Sequence, residues 1–245
     1  MSKVTLITGG SRGIGAATAQ LCAADGHAVA INYRSNAEAA ETVRQAIESA
    51  GGQAIVVQAD TGVEADIQRM FREVDSALGS LTGLVNNAGI HGPRDRLDTL
   101  AAEDIDHVLN VNVRGYFLCA REAILRMSTK HGGSGGAIVN VSSGSARLGN
   151  PGAGVLYAAS KGAVNSLTIG LSQEVAGEGI RVNTVAPGLT ATDMPPPDKL
   201  ESQGPGIPIG RVARPEEIAE AIVWLLSDKA SYTAGANIRV GGGRI

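Results

Sequence analysis

Seven short runs rich in Val, Ile, Leu and Ala punctuate the chain, at Val4–Thr8, Ala28–Tyr33, Ala54–Gln58, Gly83–Asn86, Ala137–Val141, Ile180–Ala186 and Asn237–Val240. Each is apolar with almost no alternation, the pattern of a strand covered on both faces, and such strands belong to parallel sheets. Helical periodicity fills the gaps: Ile14, Ala17, Leu21 and Ala24 recur at spacings of three and four after the first run, as do Ile67, Met70, Phe71, Val74 and Leu78 after the third. This alternation predicts an α/β fold of Rossmann type, a doubly wound, seven-stranded parallel sheet with helices on both faces. The handedness of βαβ crossovers leaves few other topologies. Residues 1–245 read as a single domain, since α/β units of about 200–250 residues commonly form one.

The 33 glycines are nearly twice the usual share of about 7%, yet they follow no Gly-X-Y period and come with only 9 prolines, which excludes collagen and low-complexity disorder. The excess therefore needs a mechanical cause. A net charge of −3 without a basic tail argues against nucleic-acid or membrane partners. Cys22 and Cys119 are too far apart in sequence for a disulfide framework or a metal spacing, and His27, His91, His107 and His131 are scattered, so no metal site is predicted. No apolar stretch reaches the length of a membrane span and none resembles a signal peptide, so a soluble protein of the reducing cytoplasm is expected. His131–Gly136 reads as a flexible surface link, Arg121, Glu122 and Arg126 as a solvated helix face, and the proline-rich stretch within Asp193–Gly206 as a wall of the ligand pocket.

Thr8–Gly15 follows the first strand and opens the first helix, so backbone N–H groups of Gly9, Ser11, Arg12, Gly13, Ile14 and Gly15 face whatever docks there, and a pyrophosphate fits that field. The match to G-x-G-x-x-G is imperfect, because Thr18 takes the third position. About 20 residues on, where NAD binders place a carboxylate for the ribose 2′-OH, the second strand ends in Tyr33, Arg34 and Ser35. Arg34 together with Arg12 can pair with a 2′-phosphate, which favours NADP(H), with NADPH preferred over NADH; two solvated arginines are the alternative. Further along, Tyr157 and Lys161 share one face of a long helical pattern, and an ammonium near a phenol brings the phenol toward a working pKa.

Taken in order, Thr8–Gly15, Asn86–Gly89, Asn112, Ser142 and Ser143, Tyr157 with Lys161, and Pro187 with Gly188 resemble the short-chain dehydrogenase/reductase family over essentially the whole chain. The resemblance implies a catalytic tetrad of Asn112, Ser143, Tyr157 and Lys161; Ser143 is preferred to Ser142 because it lies six residues before Gly149, and Ser145 is a competitor through a one-residue insertion before Tyr157. It also implies cofactor contacts from Gly9, Gly13 and Gly15, from Asp60 and Thr61 near the adenine, from Asn87, Ala88 and Gly89 along the adenosine ribose, and from Pro187, Gly188 and Thr192 around the nicotinamide. In such a site Tyr157 protonates the carbonyl oxygen, Ser143 holds it, Lys161 bonds the nicotinamide ribose and lowers the tyrosine pKa, and Asn112 anchors a relay water.

The expected activity is interconversion of a carbonyl and an alcohol on a small-molecule substrate. A 3-oxoacyl-acyl-carrier-protein reductase and a non-catalytic NADP(H)-binding sensor or scaffold are the alternatives. An acidic carrier would want a basic docking patch, and Gly162–Gln173 holds no Lys or Arg, leaving Arg126, Lys130 or Arg147 to supply one. The resemblance further implies a homotetramer, or a dimer, assembled through the Tyr157 helix, thinned by Gly162 and Gly170, and through residues 112–130, with the Gly241–Gly243 run at a subunit edge.

Overall fold

The computed structural model describes residues 3–152 and 154–244. All seven strands are present and parallel: β1 (Lys3–Ile7), β2 (His27–Tyr33), β3 (Gln53–Gln58), β4 (Gly83–Asn86), β5 (Gly136–Val141), β6 (Ile180–Pro187) and β7 (Asn237–Val240), in the order β3-β2-β1-β4-β5-β6-β7. Successive residues of a strand point to opposite faces, and here both faces are packed. Val4, Leu6, Ala28 and Ala30 contribute to one core with Ile67, Met70, Phe71, Leu118 and Leu171. Ile7, Val29 and Ile31 join the other with Cys22, Val43, Ile47, Ile218 and Ile222.

The first layer is built by α3 (Glu64–Leu78), α5 (Gly115–Met127) and α7 (Val155–Val175), the second by α1 (Gly13–Ala24), α2 (Ala37–Ser49) and α9 (Pro215–Leu226). Three shorter helices, α4 (Ala102–Leu109), α6 (Ser145–Leu148) and α8 (Pro197–Gln203), lie in the connections. Strand order reverses between β1 and β4, and the crevice at the carboxyl ends of such a pair is where open α/β sheets take their ligands. No helix among the described residues is long and apolar enough to cross a membrane.

Three local expectations are corrected. In α1, Thr18, Ala19 and Cys22 turn inward beside Ala17, while Ala24 is exposed; this helix consists mostly of small apolar residues, so periodicity says little about its rotation, which is set by Gly15 packing on the Gly9 carbonyl. The His131–Gly136 segment is a tight hydrogen-bonded corner, not a flexible link: Gly133 N–H donates to Ser128 O at 2.9 Å and Gly135 N–H to Met127 O at 2.8 Å, and a Cβ on Gly133 would strike backbone. Glu122 and Arg126 are not solvated, since Arg126 is largely covered, lies over the Phe71 ring and pairs with Asp75 at 2.7 Å and Glu122 at 2.9 Å. In the Gly241–Gly243 run, Gly241 and Gly242 are half-buried and Gly243 is exposed; a Cβ on Gly188 would come within 2.7 Å of Gly241 Cα, and one on Gly242 would meet Ile207 and Ile209.

Candidate active site

Strand ends β1, β2, β4, β5 and β6 open on one cavity of about 590 Å³, within the usual range for small-molecule sites. Its floor is the glycine loop. Gly9 and Gly13 adopt positive φ (+62° and +54°), and a side chain at Gly15 would drive into the Gly9 carbonyl, so a Cβ would fill the space the loop keeps open. Arg12 caps α1 without a side-chain bond and the first turn carries no carboxylate, which leaves the helix N-terminus free for an anion.

The loop is held from both flanks. Asn32 Oδ1 accepts from Gly9 N–H at 3.1 Å, and Asn87 Nδ2 donates to the carbonyls of Thr8 and Gly9 at 3.0 Å each. Thr8 Oγ1 accepts from the N–H groups of Asn87 and Ala88 at 2.9 and 3.0 Å, tying β1 to the segment after β4. Thr8 opens the predicted loop but its clamping role, like that of Asn32, is not read from the sequence; an asparagine inside the apolar β2 run is the available signal.

Arg12, Arg34, Tyr33, Ser35, Asp60 and Thr61 line one end of the cavity. Arg12 pairs with Asp193 at 3.5 Å across the mouth; Arg34 is exposed and, among the described residues, unpaired with any carboxylate. Asp60 Oδ1 accepts from Gly62 N–H at 2.8 Å, so part of its role is to shape the turn after β3. Ser11, Ile14, Ala88, Pro187 and Gly188 also line the cavity, and Thr192 stands against the glycine loop, 3.1 Å from where a Gly13 Cβ would be.

The tetrad residues gather at the other end. Tyr157 and Lys161 sit in the first turns of α7, both buried, on one face as their spacing implies. Burial holds the Tyr157 phenol above its usual pKa, and the nearby Ser143 hydroxyl and the Arg94 charge partly offset it; Ser143 Oγ itself accepts from Ser145 N–H at 3.1 Å. Ser142 instead donates to Lys161 O at 3.0 Å, and Ser145 Oγ accepts from Asn150 Nδ2 at 2.8 Å, so of the three serines it is Ser143 whose hydroxyl acts on the tyrosine. Ala153, within the inserted stretch, lies outside the described residues.

Lys161 is anchored to α5 and β5. Its ammonium donates to Tyr116 Oη at 3.0 Å and Val141 O at 2.8 Å and stands 5.9 Å from the Tyr157 ring centroid. Burial brings its pKa down to about 7. Tyr116 in turn donates to Val141 O at 3.0 Å, a partner the sequence reading missed.

Asn112 lies in a π-helical turn, Asn110–Arg114, and its side chain is fully engaged: Oδ1 accepts from Ile90 N–H at 2.9 Å while Nδ2 donates to Ile90 O at 2.8 Å and Ser160 Oγ at 3.0 Å. A Cβ on Gly89 would lie 3.3 Å from Asn112 Oδ1 and 3.4 Å from Lys161 Nζ and would crowd both side chains. His91, passed over in the sequence, stacks on the Tyr157 ring with centroids 4.8 Å apart.

A doubly wound parallel sheet, a glycine loop at its switch point and a Ser–Tyr–Lys constellation at the carboxyl ends define a Rossmann-type oxidoreductase site, and the chain belongs to the short-chain dehydrogenase/reductase family. Residues 9–244 match the family profile described as Enoyl-(Acyl carrier protein) reductase. Among relatives, the uncharacterized oxidoreductase YgfF of Escherichia coli (strain K12) is 53% identical, the match covering 98% of this chain and 99% of that protein. The 3-oxoacyl-[acyl-carrier-protein] reductase FabG of Staphylococcus aureus (strain Mu50) is 39% identical over 99% and 98% of the two chains. A short chain dehydrogenase from Burkholderia cenocepacia, solved in complex with NADP, is 39% identical and superposes with a TM-score of 0.91 over 98% of this chain and 97% of its own.

Proposed function

We propose that the protein is an NADP(H)-dependent oxidoreductase that interconverts a carbonyl and an alcohol, with Tyr157 as general acid and base. The observation that carries this reading is that half-buried Ser143 and buried Tyr157 and Lys161 line the same cavity as the glycine loop and Arg34. The glycine cradle, which a Cβ would fill, and the free helix N-terminus fit a dinucleotide pyrophosphate. Gly9, Ser11, Gly13, Ile14 and Gly15 would hold it, Arg12 and Arg34 the 2′-phosphate, Asp60 and Thr61 the adenine, Asn87, Ala88 and Gly89 the adenosine ribose, and Pro187, Gly188 and Thr192 the nicotinamide side. When bound, the nicotinamide supplies or accepts the two electrons of the reaction as a hydride.

The chain's own groups manage the oxygen and its proton. Ser143 Oγ–H and Tyr157 Oη–H donate to a carbonyl oxygen and stabilise the negative charge that develops there. Tyr157, kept protonated at neutral pH by burial, gives up its proton in reduction and takes it back in oxidation. Lys161, with a pKa near 7, can pass protons toward Tyr157 once its bond to Tyr116 loosens, and Asn112 braces the wall between them. NADPH consumption over a panel of ketones, oxo acids, sugars and 3-oxoacyl thioesters, repeated with NADH, tests the reading; saturable NADPH binding with no carbonyl reduced would support a sensor or scaffold instead.

For a 3-oxoacyl-acyl-carrier-protein reductase, kinship to FabG is the support. Against it, Arg126 and Lys130, two candidates for a carrier-docking patch, are committed to Asp75, Glu122 and Glu178. A homotetramer, or a dimer, is favoured by exposed Phe117, Leu125 and Ile169 on α5 and α7 and by the open space over Gly162 and Gly170. A cytoplasmic location accords with two buried, free cysteines.

A further inference from the structure

The roles assigned above leave three cations of the cavity wall unused. Arg94 lies in the segment after β4, Lys199 on α8 and Arg244 near the end of the chain, and all three line the cavity that contains Tyr157. Arg94 spends its guanidinium on neutral acceptors, His91 Nε2 and Met194 O, each at 3.1 Å, and Arg244 donates to Gln203 Oε1 at 3.0 Å. Among the described residues none of the three is paired with a carboxylate, although Asp95 and Asp198 adjoin two of them in sequence; Arg12, Arg96 and Arg211 each are paired.

Their fields overlap. Arg94 and Arg244 both push the Lys199 ammonium below its usual pKa, in addition to its burial, and Arg94 with Lys199 does the same to His91. Arg94 and Lys199 are half-buried and Arg244 is exposed, and like charges gathered so repel one another unless an anion sits among them. The cluster is also placed for substrate, because Arg94 bonds the imidazole that stacks on Tyr157, whereas Arg12 and Arg34 stand on the glycine loop and after β2.

We infer that the substrate is a carbonyl compound bearing an anionic group, a carboxylate or a phosphate, seated against Arg94, Lys199 and Arg244 while its carbonyl oxygen meets Ser143 and Tyr157. This rests on the carbonyl–alcohol reading above and narrows it, disfavouring neutral sugars and simple ketones. Charge-assisted bonds from two or three cations discriminate strongly between an acid and its neutral counterpart.

The test is calorimetric titration of the protein saturated with NADP+ by two matched pairs, acetoacetate against its methyl ester and dihydroxyacetone phosphate against dihydroxyacetone. At least one anion should bind about ten-fold or more tightly than its neutral partner, and that ratio should fall by about ten-fold in Lys199→Met and in Arg244→Gln. The pair that shows the preference tells carboxylate from phosphate. Equal binding within both pairs, or an anion preference that both variants retain, overturns the inference. Because binding is read without turnover, an anion preference in a protein that reduces no carbonyl would sink the reductase reading while the anion site itself stood. Reduction of the neutral partners without any anion preference would sink this inference alone.

Discussion

Replacing Arg34 by alanine removes one cation from the predicted 2′-phosphate site and leaves the glycine loop untouched. Arg34 is exposed and unpaired among the described residues, so no native ion pair is lost and the effect belongs to the nucleotide. A hydrogen bond to a charged group contributes about 1.5–3 kcal/mol, whereas an exposed ion pair contributes about 0.2–1 kcal/mol. A guanidinium at the cavity rim falls between, about 1–2 kcal/mol, or a five- to thirty-fold rise in the NADPH Kd. NADH has no 2′-phosphate, and its Kd should move less than about two-fold. Titration of nucleotide fluorescence measures both. The wild-type preference for NADPH should also shrink as salt rises through the range where the Debye length falls below about 8 Å, and shrink less in the variant. Equal losses for both nucleotides, or none for NADPH, would refute the assignment of Arg34.

Three further outcomes follow from the geometry. Gly15→Ala forces a methyl against the Gly9 carbonyl and should destabilise the fold by about 1–3 kcal/mol while abolishing NADPH binding, read by urea unfolding and nucleotide fluorescence; retained binding would contradict the close approach. Ser143→Ala should lower kcat by about 10²–10³-fold, while Ser142→Ala, which loses only a buried bond to Lys161 O, should instead cost about 1 kcal/mol of stability; the reverse pattern would exchange the two serines' roles. Lys161 has a folded pKa of about 7 and an unfolded one near the ordinary ammonium value of about 10.4, so between those limits the unfolded chain binds more protons and stability rises with pH. The slope is at most about 1.4 kcal/mol per pH unit, and Lys161→Met should flatten it between pH 7 and about 10 in urea midpoints; an unchanged slope would place the titration elsewhere.

Most of the sheet was legible because strands buried on both faces read as unbroken apolar runs, and all seven observed strands begin and end within one residue of the predicted ends. The rotation of α1 was not, since Ala16, Ala17, Ala19 and Ala23 give hydrophobicity without direction. Within the site, the local motifs placed Gly9, Gly15, Tyr157 and Lys161 correctly on their elements. What escaped were contacts made across the sheet or between distant loops: Asn32 clamping Gly9, Tyr116 holding the Lys161 ammonium, and His91 lying on Tyr157. A spacing of four residues puts Tyr157 and Lys161 on one face, but burial and the carbonyl of Val141 decide where the ammonium goes.

The central claim is that the Tyr157 hydroxyl transfers the proton. Tyr157→Phe keeps the ring that stacks on His91 at 4.8 Å and removes only the Oη–H. With a carbonyl substrate found in the panel, the account predicts an NADPH Kd within about two-fold of wild type and a kcat lower by about 10²–10⁴-fold. A variant that turns over at near wild-type rate would contradict it.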